Sequence, residues 1–329
     1  MQLGHGGVYS LEAWSREHMA RRLLPPLAPS PVPWWARFVH RGAHVLTTEE
    51  VAALARRFGQ VAAWAREAGY DAVQLAGGNA KLLHQFLSPT YNRRDDRYGG
   101  LVEKRFQLFR EIRKAVAEEA GEDYPVWLKF AATEIGRPFG GYGLDMGVAV
   151  AKLAEDAGFD ALTPAGASVL PNTAICRGAY PSASFTPGKV HDKLRAFQGS
   201  ALRLRTTQAG FWVASKRFPF RPVWNRSIFS AVKAAVRIPV FAVGGIRTRE
   251  EAEDILARGE ADMVGVGRPF YAEPALAEKI SRGRRTDLRE QQLVHRAADA
   301  GPAGVCYDPR VNERRRASAA KSPHIRQPA

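Results

Sequence analysis

The sequence predicts an α/β protein of the TIM-type (β/α)8 barrel class, and three observations carry that expectation. Helical patterns and short strand patterns alternate from Thr47 to about residue 280. The strands read as continuous apolar runs, as parallel strands covered on both faces require. Two glycine turns follow the last two strands, where barrels of this class build a phosphate site. No GxGxxG motif opens a helix after the first strand, which argues against an open dinucleotide-binding sheet.

The first 46 residues read as irregular, with a strand remnant at Met1 to Leu3. The stretch PPLAPSPVPWW (25–35) has five prolines in eleven positions, too many for a helix or a central strand. At Thr47 the pattern changes. Thr47 and Glu50 have capping-box spacing, and VAALARRFGQVAAWAREAG (51–69) repeats apolar residues at helical intervals, predicting a helix to about Ala68 that Gly69 stops. The strand YDAVQLA (70–76) follows, then a loop, the helical VEKRFQLFREIRKAVAEEAG (102–121) and the strand YPVWLKFA (124–131). Three helix–strand pairs complete the pattern: GVAVAKLAEDAG with FDALTPA (147–165), IFSAVKAAVR with IPVFAVGG (228–245), and REEAEDILARG with ADMVGVG (249–267). PALAEKI (274–280) closes the series.

Five clear strands, centred near Val73, Leu128, Leu162, Phe241 and Val264, join the remnant at Met1 to Leu3. The expectation is therefore an N-terminally incomplete barrel with about six of eight strands, two βα units short of closure. Three regions result. Residues 1–46 hold the strand remnant and proline-rich loop, 47–285 the barrel, and 286–329 a basic tail expected to be disordered.

Composition bounds the function. The chain has 329 residues, 45% of them hydrophobic, and no run approaches the roughly 18 apolar residues needed to span a bilayer. MQLGHGG lacks the basic and apolar regions of a signal peptide, so a soluble cytoplasmic protein is expected. Only two cysteines occur, Cys176 and Cys306, without metal-ligand spacing, which argues against a structural zinc, an iron–sulfur cluster or a disulfide framework. The net charge of +15 raises the question of nucleic acid. The excess is mainly arginine scattered along the chain, densest at Arg314, Arg315 and Arg316 in the tail, and nucleic acid is not the expected partner.

The turns carry the chemistry. After strand 239–243 come Gly244 and Gly245, whose missing Cβ atoms let backbone N–H groups approach a phosphate oxygen. The second turn supplies Gly267 and Arg268, adding a guanidinium fork and the start of a short helix at Pro269. Singly, the glycines suit any tight turn and Arg268 suits a surface ion pair. At the ends of successive strands they read as one clamp on a phosphate dianion.

A longer pattern then narrows the ligand. The segment AGYDAVQLAGGNAKLLHQFLSPTYNRRDDRYGGLVEKRFQLFREI resembles the central part of the Old Yellow Enzyme family of FMN-dependent NAD(P)H oxidoreductases. LLHQFLSP, the N-R-R-x-D-x-Y-G-G run and E-x-R are specific to it, and IPVFAVGGIRT with ADMVGVGRPFYAEP is similar to the family's last two strands. GASVLPNTAICRGAYP resembles the stretch after the sixth strand in one bacterial branch, and MQLGHGG resembles the third strand.

The resemblance implies FMN as cofactor, NAD(P)H as reductant and a small-molecule acceptor, with a homo-oligomer as a further implication. It implies Gln2 as a ligand of the flavin pyrimidine edge and Lys129 as the cation beside flavin N1 and O2, where positive charge stabilises the anionic reduced flavin. The clamp of Gly244, Gly245, Gly267 and Arg268 then holds the FMN phosphate. In the family, two side chains three residues apart, His with His or His with Asn, hold the acceptor's carbonyl oxygen, and a nearby Tyr supplies a proton. The matching positions here are Ala76, Asn79 and Lys81.

Ala76 has no hydrogen to donate, so Asn79 alone remains to polarise a carbonyl, and Lys81 replaces the tyrosine only if it points inward. His84 reads as a packing residue of the loop, and Asp95, Asp96, Tyr98, Glu103 and Arg105 as anchors. Cys176 begins a long excursion to about Val223 that reads as a loop capping the barrel mouth. Two functions are expected to compete: an FMN-dependent oxidoreductase using Asn79 and Lys81, and a noncatalytic or truncated barrel homologue that keeps the phosphate site.

Overall fold

The computed structural model describes residues 1–9, 25–34, 42–136, 140–169, 177, 180, 182–188, 191–192, 195, 200–267, 269–270 and 275–282. Cys176, Arg268, Cys306, Arg314 to Arg316 and the tail expected from residue 286 lie outside them.

In chain order the elements are β1 (Gln2–Leu3), β2 (Leu27–Ala28), β3 (His44–Val45), α1 (Thr48–Glu67), β4 (Val73–Gly77), α2 (Leu82–Leu87), α3 (Val102–Arg105) and α4 (Gln107–Ala120). There follow β5 (Val126–Ile135), β6 (Gly141–Tyr142), α5 (Leu144–Asp156), β7 (Ala161–Ser168), α6 (Ser182–Phe185), α7 (Ala201–Arg217), α8 (Arg226–Lys233), β8 (Phe241–Val243), α9 (Arg249–Ala257), β9 (Met263–Gly265) and α10 (Leu276–Ser281). Six strands run parallel in the order β1, β4, β5, β7, β8, β9. A parallel bridge from Leu162 to Val240 joins β7 to the β8 side. Chain order equals sheet order with helices between the strands, which is a β/α barrel wall. A closed barrel of this class has eight strands, and six are seen among the described residues.

Local chemistry sets the helix starts. At α1, Thr47 Oγ1 accepts the Glu50 N–H (3.2 Å) while the Glu50 carboxylate accepts the Thr47 N–H (2.8 Å). Both halves of the capping box are therefore made. Thr248 and Glu251 repeat the device at α9. Helix α1 lays Val51, Ala55, Phe58 and Ala62 against Leu108, Phe109 and Ile112 of α4, all within one core. The two helices approach so closely that a Cβ on Gly59 would lie 2.6 Å from the Ala115 carbonyl oxygen.

Side-chain alternation divides the sheet into two faces. Val73, Leu75, Val126, Leu128, Phe130 and Leu162 are buried in the core shared with the helices, each fully buried side chain contributing about 2 kcal/mol. The alternate residues form a more polar inner face. Gln2 Nε2 donates to Gln74 Oε1 (2.6 Å), Gln74 Nε2 donates to Thr163 Oγ1 (3.1 Å), and Trp127 packs on Phe241 with ring centres 5.2 Å apart.

Three expectations need correction. The first 46 residues are not wholly irregular: β2 and β3 pair in parallel, Leu27 beside His44 and Ala28 beside Val45, and Gly7–Tyr9 forms a 3-10 turn. The LLHQFLSP stretch is not simply loop, because Leu82–Leu87 is a helix with every residue buried. The excursion before Val223 contains α7, a helix of 17 residues.

Candidate active site

A cavity of about 280 Å3 opens at the carboxyl ends of β1, β4 and β5, lined by Gln2, Gly4, His5, Gly6, Ala76, Gly78, Asn79, Lys81 and Lys129. Register explains the grouping. Gln2 lies beside Gln74 across β1 and β4, and Ala76, Lys129 and Thr163 lie level across β4, β5 and β7. Thus four of the residues singled out in the sequence, Gln2, Asn79, Lys81 and Lys129, meet at one opening. Ala76 lines it too, and a Cβ on Gly4 would lie 2.9 Å from the Ala76 Cβ.

Asn79 is held at this opening by a strained turn. Asn79 (φ 57°) and Ala80 (φ 56°) are consecutive residues in the left-handed region. Asn tolerates it, whereas alanine pays about 1–2 kcal/mol. Helix α2 holds the turn from below. The Ala80 N–H donates to His84 Nδ1 (2.8 Å), and Gln85 Nε2 donates to the Ala80 carbonyl (2.6 Å). Gln85 Oε1 in turn accepts the Val8 N–H (3.3 Å), and the Leu82 N–H donates to the His5 carbonyl (2.9 Å), which ties the loop after β1 to the same helix.

Accepting at Nδ1 places the proton of a neutral His84 on Nε2. That atom faces Glu134 Oε1 at 3.1 Å, both side chains being fully buried. Neither atom has a hydrogen-bond partner, so the contact is electrostatic. Glu134 Oε2 accepts from Ser88 Oγ at 2.8 Å. Burial, with Glu134's charge adding to it, raises the Tyr142 phenol well above its usual range, so this neighbour stays protonated.

Of the residues read as anchors of the loop following α2, Asp96, Tyr98 and Arg105 are held by side-chain hydrogen bonds. Asp96 takes a bidentate pair from Arg94 (2.6 and 2.9 Å) and a bond from Thr48 Oγ1 (2.6 Å), and the Arg94 guanidinium chiefly lowers its pKa to about 2. Tyr98 Oη donates to Glu111 (2.6 Å). His5 is the lining residue that sequence reasoning missed. It lies three positions after Gln2 in the same glycine-rich run, accepts the Gly7 N–H at Nδ1 (3.0 Å), and burial lowers its pKa.

The glycine turns lie on the next part of the same edge. Gly244 and Gly245 leave β8 with φ of 115° and 83°. Their crowding adds to the need for glycine: a Cβ on Gly244 would lie 2.6 Å from Asn225 Nδ2, and one on Gly245 would lie 2.6 Å from the Trp224 ring. Asn225 Nδ2 donates to the Val243 carbonyl (3.0 Å), and the Val223 N–H donates to the Gly245 carbonyl (3.3 Å), so the turn is pinned from behind. Val243 pairs with Gly265, which brings Gly267 to the same edge. Around Gly267 a Cβ would meet no described residue within 4 Å. Among the described residues no cluster of metal-ligating side chains occurs.

The sequence matches the NADH:flavin oxidoreductase / NADH oxidase family over residues 30–163 and 202–287, more than half of the chain and both sides of the site. The chain belongs to this family. FMN and NAD(P)H, implied by the earlier resemblance, are the family's cofactor and reductant. An NADH oxidase of Thermoanaerobacter brockii is 33% identical over 81% of this chain and 34% of its own. A multifunctional alkene reductase/demethylase OYE of Caballeronia cordobensis is 26% identical over 87% of this chain and 35% of its own. The structure of histamine dehydrogenase from Rhizobium sp. 4-9 superposes with a TM-score of 0.63 at 20% identity, covering 86% of this chain and 34% of that one, and supports the fold. The chain thus spans about a third of the length of each.

Proposed function

We propose that this protein binds FMN across the barrel mouth and uses NAD(P)H to reduce a small electron-poor acceptor. The observation that carries this reading is the convergence of Gln2, Asn79, Lys81 and Lys129 on one cavity, on the strand edge that also carries the Gly244–Gly245 turn and Gly267. The residues fit the cofactor. No described residue crowds Gly267, where the phosphate is proposed to sit with the Arg268 guanidinium added, and Gln2 and Lys129 offer an amide and a cation to the flavin's polar edge.

When bound, FMN would supply the hydride relay between NAD(P)H and acceptor. The chain's own residues orient the partners and stabilise charge. The Lys129 ammonium offsets negative charge at the cavity wall. The Asn79 amide, fixed by the Ala80–His84 bond, donates to an acceptor oxygen. Lys81, at the lip, is proposed to hold the proton that the product needs. Ala76 leaves the second oxygen-binding position empty, so acceptors that rely on two donors are expected to react slowly. Ala76 equally favours the second reading, a relative that keeps the phosphate site without turnover.

Purification with bound FMN and bleaching of its visible absorbance by NAD(P)H tests the proposal. Bleaching without reoxidation by any electron-poor alkene, quinone or oxygen would favour the noncatalytic reading.

A further inference from the structure

Helix α7 has two apolar faces. Leu204 and Ala214 are buried on one, and Phe211 meets Phe185 edge-on at 5.7 Å. The other face is open to solvent: Leu202 is 71% exposed, Trp212 53% and Val213 54%. Leu202, Ala209 and Val213, spaced seven and four residues apart, lie in one line along about 17 Å of helix. Arg205, Trp212 and Lys216 flank that line on one side and Arg217 on the other.

The charge here is one-sided. From Lys193 to Arg249 the sequence has twelve Lys and Arg and not one Asp or Glu, so the basic excess is concentrated rather than scattered. Arg226, Lys233, Arg237 and Arg249 are paired with carboxylates from outside this stretch. Arg203, Arg205, Lys216 and Arg217 form no ion pair with a described residue, and all four belong to α7.

We propose that α7 docks this protein on an anionic lipid surface, lying in the interface with Leu202, Trp212 and Val213 toward the acyl chains and its cations among the headgroups. An apolar line bordered by lysine and arginine, without acidic residues, is the pattern such interfaces bind. Each rival occupant satisfies only half of it. Nucleic acid would match the cations but give Leu202 and Val213 no apolar partner. A second copy using the same face would bring four cations against four. No helix among the described residues is long and apolar enough to cross a membrane.

The test is co-sedimentation of the full chain with vesicles of phosphatidylglycerol and phosphatidylcholine in equal parts, and with phosphatidylcholine alone. Binding is expected only to the anionic vesicles and is expected to weaken with salt. The pair Arg205→Gln/Lys216→Gln should lower affinity about thirtyfold, about fivefold per cation. The pair Trp212→Ser/Val213→Ser should abolish the blue shift of tryptophan fluorescence that docking produces. A control pair, Lys114→Gln/Lys152→Gln, removes the same charge from α4 and α5 and should change affinity far less. Absence of anionic-vesicle binding overturns the proposal, as does equal loss in the control pair. Concentration-dependent dimerisation abolished by the Trp212→Ser pair, without vesicle binding, would assign the face to a second copy and also overturn it.

Discussion

Alanine at Gly245 and at Gly267 should have opposite consequences, because Gly245 is crowded by its neighbours whereas Gly267 faces the proposed phosphate position. At Gly245 the backbone has a φ of 83°, and a Cβ would sit 2.6 Å from Trp224 and 2.9 Å from the Arg221 carbonyl oxygen. The left-handed backbone costs alanine about 1–2 kcal/mol, and forcing a methyl into packed neighbours about 1–3 kcal/mol more. Gly245→Ala should therefore lose roughly 2–5 kcal/mol of stability before any ligand is added. At Gly267 no described residue lies within 4 Å of the added methyl. Gly267→Ala should stay within about 0.5 kcal/mol of the parent in the apo form, yet it places a methyl where the phosphate is proposed to bind. Urea unfolding of the apoproteins measures the first effect, and FMN titration by fluorescence quenching measures the second. If Gly245→Ala unfolds at the parent's midpoint, or Gly267→Ala binds FMN as tightly as the parent, the account of this edge is wrong.

Three further changes probe the wall behind the cavity and the loop beside it. His84→Ala removes the acceptor for the Ala80 N–H and leaves Glu134 buried without its facing imidazole, and should cost about 3–5 kcal/mol in urea unfolding. Asp96, held at about 2 against an ordinary carboxylate value near 4 but partly exposed, contributes on the order of 1 kcal/mol after solvent screening, present above pH 4 and lost as pH falls toward 2. Asp96→Asn should remove that stability at pH 7 and flatten the acid limb of the unfolding curve over this window. Ala76→His returns a second donor to the cavity wall and should raise the rate on an α,β-unsaturated carbonyl about 100-fold with FMN affinity unchanged.

The barrel wall was legible because its signals are local. Thr47 with Glu50, the apolar repeat after them and Gly69 mark α1 from start to stop, and continuous apolar runs mark strands covered on both faces. Helix α2 was hidden for the opposite reason: all six of its residues are buried, so no polar face betrays a helical period. Helix α7 escaped notice because apolar residues lie on both its buried and exposed sides, which cancels the asymmetry by which a surface helix is recognised. The two-residue strands β2 and β3 carry no pattern at all, and depend on Pro26 and Ala28 carbonyls accepting the His44 and Leu46 N–H groups.

The site divides in the same way. Glycines at strand ends suggest the proposed clamp, a long motif draws attention to Asn79, and Lys129 is suggested by its place on the following strand. Their meeting with Gln2 at one cavity depends on strand register, which the order of letters does not display. His5 contributes through its backbone carbonyl to α2 and its ring to Gly7, contacts that exist only once the loop after β1 folds against Leu82. The acid-free run from Lys193 to Arg249 is plain in the sequence, yet it acquires meaning only through the exposure of α7.

The most direct measurement is the stoichiometry of FMN on the purified chain, read from its visible spectrum and from equilibrium titration of apoprotein. The account predicts one FMN per chain, lost in Gly267→Ala and bleached by NAD(P)H in the parent. A folded chain that stays colourless and takes up no added FMN would contradict it.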